Sequence, residues 1–87
     1  MVKMRVEIAS IEQTVWSGNA LFIFTRTIIG EIGILPYHTH LMAKLVNNTV
    51  TKVKCENEDT LQITTYNGLL KVANNVVLIL AEKTEIK

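Results

Sequence analysis

The sequence has one cysteine, Cys55, so no disulfide can form within the chain, which fits a reducing, cytosol-like compartment. Lys and Arg total 9 against 8 Asp and Glu, a net charge of +1. Such a weak charge predicts neither nucleic-acid binding nor attraction to an anionic membrane surface. The longest apolar runs, 20–24 and 76–81, fall far short of the ~20 residues of a spanning helix. The N-terminus has neither a long apolar stretch nor a cleavage site, so we expect no secretory signal and no membrane insertion.

Signatures of catalysis and of cofactor binding are also missing. The sequence contains neither G-x-x-x-x-G-K-[ST] nor G-x-G-x-x-G, the glycine patterns that cradle phosphates. Cys55 lies among charged residues with no recognisable base and orienting group, both of which a catalytic thiol requires. Glu31 is a single carboxylate beside a turn and cannot perform paired acid–base chemistry. We therefore predict no catalytic residue, no metal and no cofactor.

The dominant pattern in the sequence is the alternation of apolar and polar residues that is typical of β-strands. Of the 87 residues, 48% are hydrophobic, enough for a core in one domain spanning 1–87. Apolar residues alternate with polar ones at Val2, Met4, Val6 and Ile8. The runs 20–24 and 76–81 are typical of strands covered on both faces. The stretch 41–45 has a helical look but is too short for a stable helix. An all-β fold, either sandwich or barrel, is predicted.

Turn residues separate these short runs. Asn67-Gly68 between two β-rich segments predicts a hairpin, because both residue types tolerate positive φ. Asn74-Asn75 predicts a second turn, and 56–59 a polar loop. Ser17-Gly18 also reads as a turn. Gly30 is expected to supply a positive-φ turn and Gly33 a bend or a close backbone approach.

One segment carries a family resemblance. Residues 30–38 read GEIGILPYH and resemble the G-E-[LIM]-G-[IV]-x-P-x-H signature of the ATP synthase epsilon subunit. Residues 16–18 resemble the [FWY]-x-G element of that family, and 67–72 its G-[GIF]-[LIF]-x-[VI] hairpin. These matches keep their order, and the resemblance covers essentially the whole chain. His40 departs from the pattern, since family members commonly have proline there.

The resemblance implies a flattened two-sheet β-sandwich of about 8–10 short strands at the foot of the central rotor stalk. It implies a non-catalytic subunit that joins the gamma subunit to the c-ring of a proton-driven ATP synthase. The complex would lie on the cytoplasmic face of the bacterial plasma membrane. Family members usually add a C-terminal helical hairpin, which would begin where this chain ends. The expected c-ring contacts are Ile28, Ile29, Gly30 and Glu31, and the expected gamma-subunit contacts are His38, His40, Leu41 and Met42.

Two alternatives remain open at this point. On a strand, His38 and His40 would point to one side and could chelate a metal, as in a small cupin-like β-barrel enzyme. A small β-barrel that binds single-stranded nucleic acid could stack bases on Tyr37 and Tyr66.

Apolar residues outside these motifs have simpler interpretations. Phe22 and Phe24 are expected in the core, and Trp16 is expected to be half exposed beside a turn. Ile28 and Ile29 could either tuck under their loop or form an exposed apolar tip.

Overall fold

The protein is described by a computed structural model that covers residues 2–86. Nine β-strands occupy these residues. They are β1 (Met4–Ser10), β2 (Thr14–Thr27), β3 (Gly30–Ile34), β4 (Leu41–Lys44), β5 (Thr49–Cys55), β6 (Thr60–Tyr66), β7 (Leu69–Ala73), β8 (Val76–Ala81) and β9 (Lys83–Ile86). Among residues 2–86 there is no helix of the length and apolarity that crossing a membrane requires. The predicted all-β fold is confirmed.

The strands form one hydrogen-bonded path in the order β4-β7-β8-β1-β2-β5-β6-β9, and β3 adds to β2. Strand β2 is 14 residues long and belongs to both layers of the molecule. Its first half pairs with β1, while its second half lies between β3 and β5. A twisted path of this length folds over and packs against itself as a sandwich. The principal extents, 32 × 25 × 19 Å, describe a flattened body.

A single apolar core lies between the two layers, and strands from both halves of the path contribute to it. Its members are Met4, Val6, Ile8, Ala20, Ile23, Ile34, Leu45, Val53, Ile63, Leu70, Val72, Val77 and Ile79. In β1 the apolar residues of the alternating pattern are buried and the polar ones between them are exposed. Burial of one face therefore explains why these segments form strands.

The two uninterrupted apolar runs behave differently from the prediction. In 20–24, Ile23 is buried while Phe22 and Phe24 point outward and are 36% and 37% exposed. Along β8, Val77 and Ile79 are buried and Leu80 is 44% exposed. The prediction that both faces of these two strands are covered is therefore wrong for this chain by itself. The prediction that Phe22 and Phe24 lie in the core is also wrong. Each run has one face in the core and one on the surface.

Two asparagine turns have different outcomes. Asn74 and Asn75, with φ of 52° and 61°, form the predicted two-residue turn between the paired strands β7 and β8. Asn67 also has a positive φ of 52°, but β6 and β7 do not pair, so the predicted hairpin is wrong. The chain crosses between the layers there. A Cβ on Gly68 would lie 3.0 Å from Cδ1 of Leu45, so close packing in the crossover favours glycine.

The predicted turn at Ser17-Gly18 is also wrong, because both residues lie within β2. The indole of Trp16 covers Gly18, where a Cβ would lie 2.8 Å from the ring. Trp16 is half-buried, as predicted, and packs against the core. In this chain the aromatic-x-glycine pattern of residues 16–18 therefore marks a place where the aromatic ring lies across its own strand, and not a turn of the chain.

Candidate partner-binding surfaces

The turn between β2 and β3 is short and tightly held. Thr27 pairs with Gly30 across a two-residue connection. The Thr27 hydroxyl donates to the Gly30 carbonyl at 2.9 Å and accepts from the Ile29 amide at 3.3 Å. Gly30 has a φ of 140°, which confirms the predicted positive-φ position. The amide of Ile28 donates to the Lys44 carbonyl at 2.9 Å, which fastens the turn to the end of β4.

Both isoleucines of this turn project from the fold. Ile28 is 64% exposed and Ile29 is 86% exposed, so they form a tip rather than tucking under the loop. Below them, Glu31 accepts a hydrogen bond from the Arg26 guanidinium at 3.2 Å. We call Ile28, Ile29, Gly30 and Glu31 the turn tip. It presents two apolar side chains on a rigid turn beside a half-exposed ion pair.

The predicted histidine pair lies in the connection between β3 and β4, not on a strand. His38 Nδ1 donates to the Thr39 carbonyl at 2.8 Å, and His40 Nε2 accepts from the Asn74 amide at 3.3 Å. The Tyr37 amide donates to Asn75 Oδ1 at 2.8 Å. The sequence left the role of His40 unexplained; the structure shows that it ties this connection to the β7–β8 turn.

These contacts bear directly on the metal alternative. Neither His38 nor His40 lies on a strand, so no strand geometry holds them on one side, and His40 Nε2 already accepts a hydrogen bond. Within residues 2–86, no three His, Cys, Asp or Glu side chains converge as metal ligands. The prediction that both histidines share one strand face was wrong.

The second candidate surface continues from the histidines along β4. Leu41 is half-buried against the core, whereas Met42 is 64% exposed. Met42 pairs with Lys71 of β7, and Lys71 pairs with Leu78 of β8. We call His38, His40, Leu41 and Met42, together with this outer face of β7 and β8, the β4 face. The turn tip lies at the Lys44 end of β4 and the two histidines lead into its Leu41 end, three residues or about 10 Å along the strand.

Cys55 and the tyrosines offer no chemistry at these surfaces. Burial raises the pKa of the Cys55 thiol, and the negative charge of Asp59 raises it further, so the unreactive thiol form is favoured. The Tyr66 hydroxyl donates to Glu85 at 3.2 Å, and Lys83 lies 5.5 Å from the centre of its ring. Tyr37 lies near the opposite end of β7, beside Asn75, so the two tyrosines share no groove.

One surface escaped sequence reasoning. Phe22 and Phe24 stand on the outer side of β2, directly opposite Lys54 and Lys52 of β5. Gly33 confirms the predicted close approach, because a Cβ there would lie 3.1 Å from the Phe22 ring. The signal that could have found this surface was the alternation of lysines in β5, which marks that layer as having an outward face.

The fold is thus a small β-sandwich whose exposed apolar residues lie on turns and outer sheet faces rather than in a cleft. The family model for the ATP synthase Delta/Epsilon chain, beta-sandwich domain, matches residues 3–87. The chain belongs to this family.

Curated relatives agree with this assignment. The ATP synthase epsilon chain of Mycobacterium avium (strain 104) is 47% identical over 85 residues, which are 98% of this chain and 70% of the relative. The ATP synthase epsilon chain of Mycobacterium tuberculosis (strain ATCC 25177 / H37Ra) is 45% identical over 87 residues, 100% of this chain and 72% of the relative.

Solved structures show the same fold at low sequence identity. A chain of the Euglena gracilis mitochondrial ATP synthase (OSCP/F1/c-ring) superposes with a TM-score of 0.90 at 19% identity. That match covers 99% of this chain and 54% of the Euglena chain, so this chain spans about half of its length. A chain of the Tetrahymena thermophila mitochondrial ATP synthase central stalk and c-ring superposes with a TM-score of 0.75 at 15% identity. That match covers 95% of this chain and 66% of the Tetrahymena chain.

Proposed function

We propose that this chain is a non-catalytic central-stalk subunit of a proton-driven ATP synthase. It joins the gamma subunit to the c-ring and couples proton transport to ATP synthesis on other subunits. The observation that carries the proposal is that one flattened sandwich of the epsilon family presents two separate apolar surfaces, the turn tip and the β4 face. Close-packed interiors resist deformation, so a body of this kind transmits torque between two partners.

The turn tip is proposed to contact the c-ring. Its two isoleucines can bury apolar area against a partner, while Gly30 and the Thr27 hydroxyl hold the backbone in place. Binding by a rigid turn loses little conformational entropy. Glu31 remains half-exposed beside Arg26, where its charge favours one register over another more than it adds affinity.

The β4 face is proposed to contact the gamma subunit. Met42 offers a flexible apolar side chain suited to irregular surfaces, and Leu41 anchors its strand in the core. The hydrogen bonds of Tyr37 and His40 to the β7–β8 turn fix the approach to β4. An obligate interface of this kind buries more than ~2,000 Å² in total, so it extends from β4 over the outer sides of β7 and β8.

This assembly is proposed to operate at the cytoplasmic face of the bacterial plasma membrane, where the chain is held by its partners. The mycobacterial relatives, named ATP synthase epsilon chains, support a bacterial complex of that kind. Neither the turn tip nor the β4 face needs to enter the lipid for the proposed contacts to form.

Co-purification of the chain with gamma subunit and c-ring from its source organism tests the function directly. The variant Ile28→Ser with Ile29→Ser is expected to weaken c-ring binding by about 30- to 1,000-fold, because the two contacts contribute about 2–4 kcal/mol. Gamma binding and cooperative unfolding should persist. Ile11→Ser is the matched control for c-ring binding alone, since Ile11 is 77% exposed in a different turn and lies beside Leu69 and Leu80 of the β4 face.

Met42→Glu tests the second surface in the same preparation. It is expected to release gamma, because it places a charge in an apolar contact, and to leave the fold intact, since Met42 is exposed. The proposal is wrong if the chain with its natural sequence associates with neither partner at micromolar concentration. Unchanged binding in both variants would refute the assignment of the two surfaces.

A further inference from the structure

We propose that Asn67 is a site of spontaneous deamidation, and that the rate of the reaction is set by opening of the crossover between β6 and β7. Asparagine is a thermolabile residue, because the backbone nitrogen of the next residue can attack its side-chain amide. Glycine at the next position leaves that nitrogen unhindered, since it has no Cβ. Asn67 is the only asparagine in the sequence that is followed by glycine. The modification uses neither the turn tip nor the β4 face, so it goes beyond the proposed function.

The reaction consumes water and releases ammonia. The deprotonated backbone nitrogen of Gly68 attacks Cγ of Asn67, a bond forms between these two atoms, and the Cγ–Nδ2 bond breaks as ammonia leaves. Water then opens the resulting cyclic imide at either of its two carbonyls. The products are aspartate or isoaspartate in place of Asn67. No oxidant, reductant or further reactant is required.

The folded crossover keeps the two reacting atoms apart. Asn67 has a φ of 52°, and a non-glycine residue with such a φ lies in the left-handed region, where ψ is about +30° to +60°. At such a ψ the Gly68 nitrogen points away from Cβ of Asn67 across the Cα–C bond. Ring closure requires the opposite arrangement, with the nitrogen and Cβ on the same side of that bond. The peptide unit must therefore rotate before the attack can occur.

Three hydrogen bonds oppose that rotation. Nδ2 of Asn67 donates to Oε2 of Glu82 at 2.8 Å, and the backbone amide of Asn67 donates to Oδ1 of Asn47 at 3.0 Å. The Leu45 amide donates to the Gly68 carbonyl at 2.9 Å. Gly68 is also buried, and a Cβ there would lie only 3.0 Å from Leu45, so the peptide unit has little room to turn. The reaction therefore proceeds from a crossover that has opened locally.

The product cannot rebuild these contacts. Aspartate has no amide hydrogens, so its carboxylate would face the Glu82 carboxylate where the Asn67 amide now donates. Two like charges at that distance repel each other. Isoaspartate instead lengthens the main chain by a carbon atom, next to the tightly packed Gly68. Each deamidated chain therefore has a less stable crossover than the unmodified chain.

The crossover also supports the turn tip. The Leu45 amide donates to Gly68, and the carbonyl of the preceding residue, Lys44, accepts from the Ile28 amide at 2.9 Å. Loss of the first hydrogen bond frees the end of β4 that makes the second. Deamidation of Asn67 is therefore expected to loosen the turn tip. The effect on c-ring binding rests on the proposed function, whereas the deamidation itself does not.

Peptide mass spectrometry of the chain, aged at neutral pH in buffer and in unfolding concentrations of urea, tests the inference. We expect Asn67 to deamidate at least about tenfold more slowly in buffer than in urea, because an opening free energy of about 1.4 kcal/mol lowers the reactive population tenfold. Asn57 is the internal control, since it lies in an exposed loop and is followed by glutamate. In urea it should deamidate more slowly than Asn67.

Two variants of Glu82 test the contact that holds the amide. Glu82→Ala removes the acceptor and should raise the rate at Asn67 in buffer about threefold to tenfold. Glu82→Gln keeps an acceptor oxygen and should raise it less. Neither variant should change the rate in urea. The comparison of buffer with urea for the natural sequence does not depend on whether either variant folds.

Hydrogen exchange measures the effect on the turn tip, and the Ile28 amide should exchange faster in the deamidated chain. Equal rates at Asn67 in buffer and in urea would overturn the control by the crossover. The absence of deamidation at Asn67 in urea would overturn the site itself. An unchanged rate in Glu82→Ala, or unchanged exchange at Ile28, would refute the corresponding contact. The proposed function is judged separately, by co-purification with gamma and the c-ring, and its failure would leave these rates as they are.

Discussion

Three buried threonine hydroxyls make the core testable. Thr65 is fully buried, and its hydroxyl has no hydrogen-bond partner among residues 2–86. Thr25 and Thr51 are also fully buried, and their hydroxyl oxygens share a hydrogen bond at 2.7 Å. Thr65→Val keeps the side-chain shape and removes an unpaired polar atom, so we expect a gain in unfolding free energy of about 1 kcal/mol.

The same substitution in the bonded pair should have the opposite sign. Thr25→Val leaves the Thr51 hydroxyl buried without a partner, which costs about 1–3 kcal/mol. Changing Thr25 and Thr51 to Val together removes both hydroxyls and should return the stability to within about 1 kcal/mol of the unchanged protein. The two single changes are therefore expected to be strongly non-additive, as contacting residues are.

Urea and thermal unfolding of Thr65→Val, Thr25→Val, Thr51→Val and the Thr25/Thr51 double variant measure these differences. For a domain of this size, 1 kcal/mol moves the melting temperature by about 4–8 °C, well above the error of a scan. The urea slope should not change, since the surface exposed on unfolding is the same. A loss of stability in Thr65→Val equal to that in Thr25→Val would show that the Thr65 hydroxyl is bonded. Additive effects in the pair would refute the shared hydrogen bond.

Further predictions concern the two constrained glycines and one surface ion pair. Gly18→Ala should displace the Trp16 indole, 2.8 Å from the added Cβ, lowering stability by about 1–3 kcal/mol and shifting tryptophan fluorescence to the red. Gly30→Ala meets no atom within 4 Å, so its expected loss of about 1–3 kcal/mol, measured by urea unfolding, comes from φ alone. A hydrogen bond from Lys3 holds the pKa of Glu56 below its ordinary 4.5, so its stabilisation is present above that pH and lost as pH falls through the lowered pKa. Glu56→Gln should lack this acid-side loss in a pH series of melting temperatures.

Local sequence signals identified where the chain turns but not which strands then pair. Asn67 and Asn74 both adopt positive φ, as asparagine readily does. Only the second begins a hairpin, since β7 pairs with β8 while β6 pairs with β5 and β9. Pairing depends on which layer each strand joins, and that is decided by contacts distant in the sequence. A two-residue pattern carries no information about them.

The candidate surfaces were predictable to different degrees. The glycine of the turn tip could be read directly, because positive φ is a local property. The exposure of Ile28 and Ile29 could not be predicted, because two adjacent isoleucines give the same sequence pattern whether they pack under the loop or project from it. The position of His40 in a loop, accepting from Asn74, depends on the β7–β8 turn lying beside it in the fold. Sequence neighbours alone do not specify that contact.

The two unbroken apolar runs, 20–24 and 76–81, show why the expectation of strands covered on both faces was wrong. A strand that needs one buried face requires apolar residues only at alternate positions, as β1 shows. Phe22 and Phe24 of β2, and Leu80 of β8, are therefore apolar at outward positions where a one-sided strand does not require apolar residues. They lie on opposite layers, because β8 and the second half of β2 occupy different halves of the path. Exposed apolar side chains on both outer faces leave each run with one face that this chain itself does not cover.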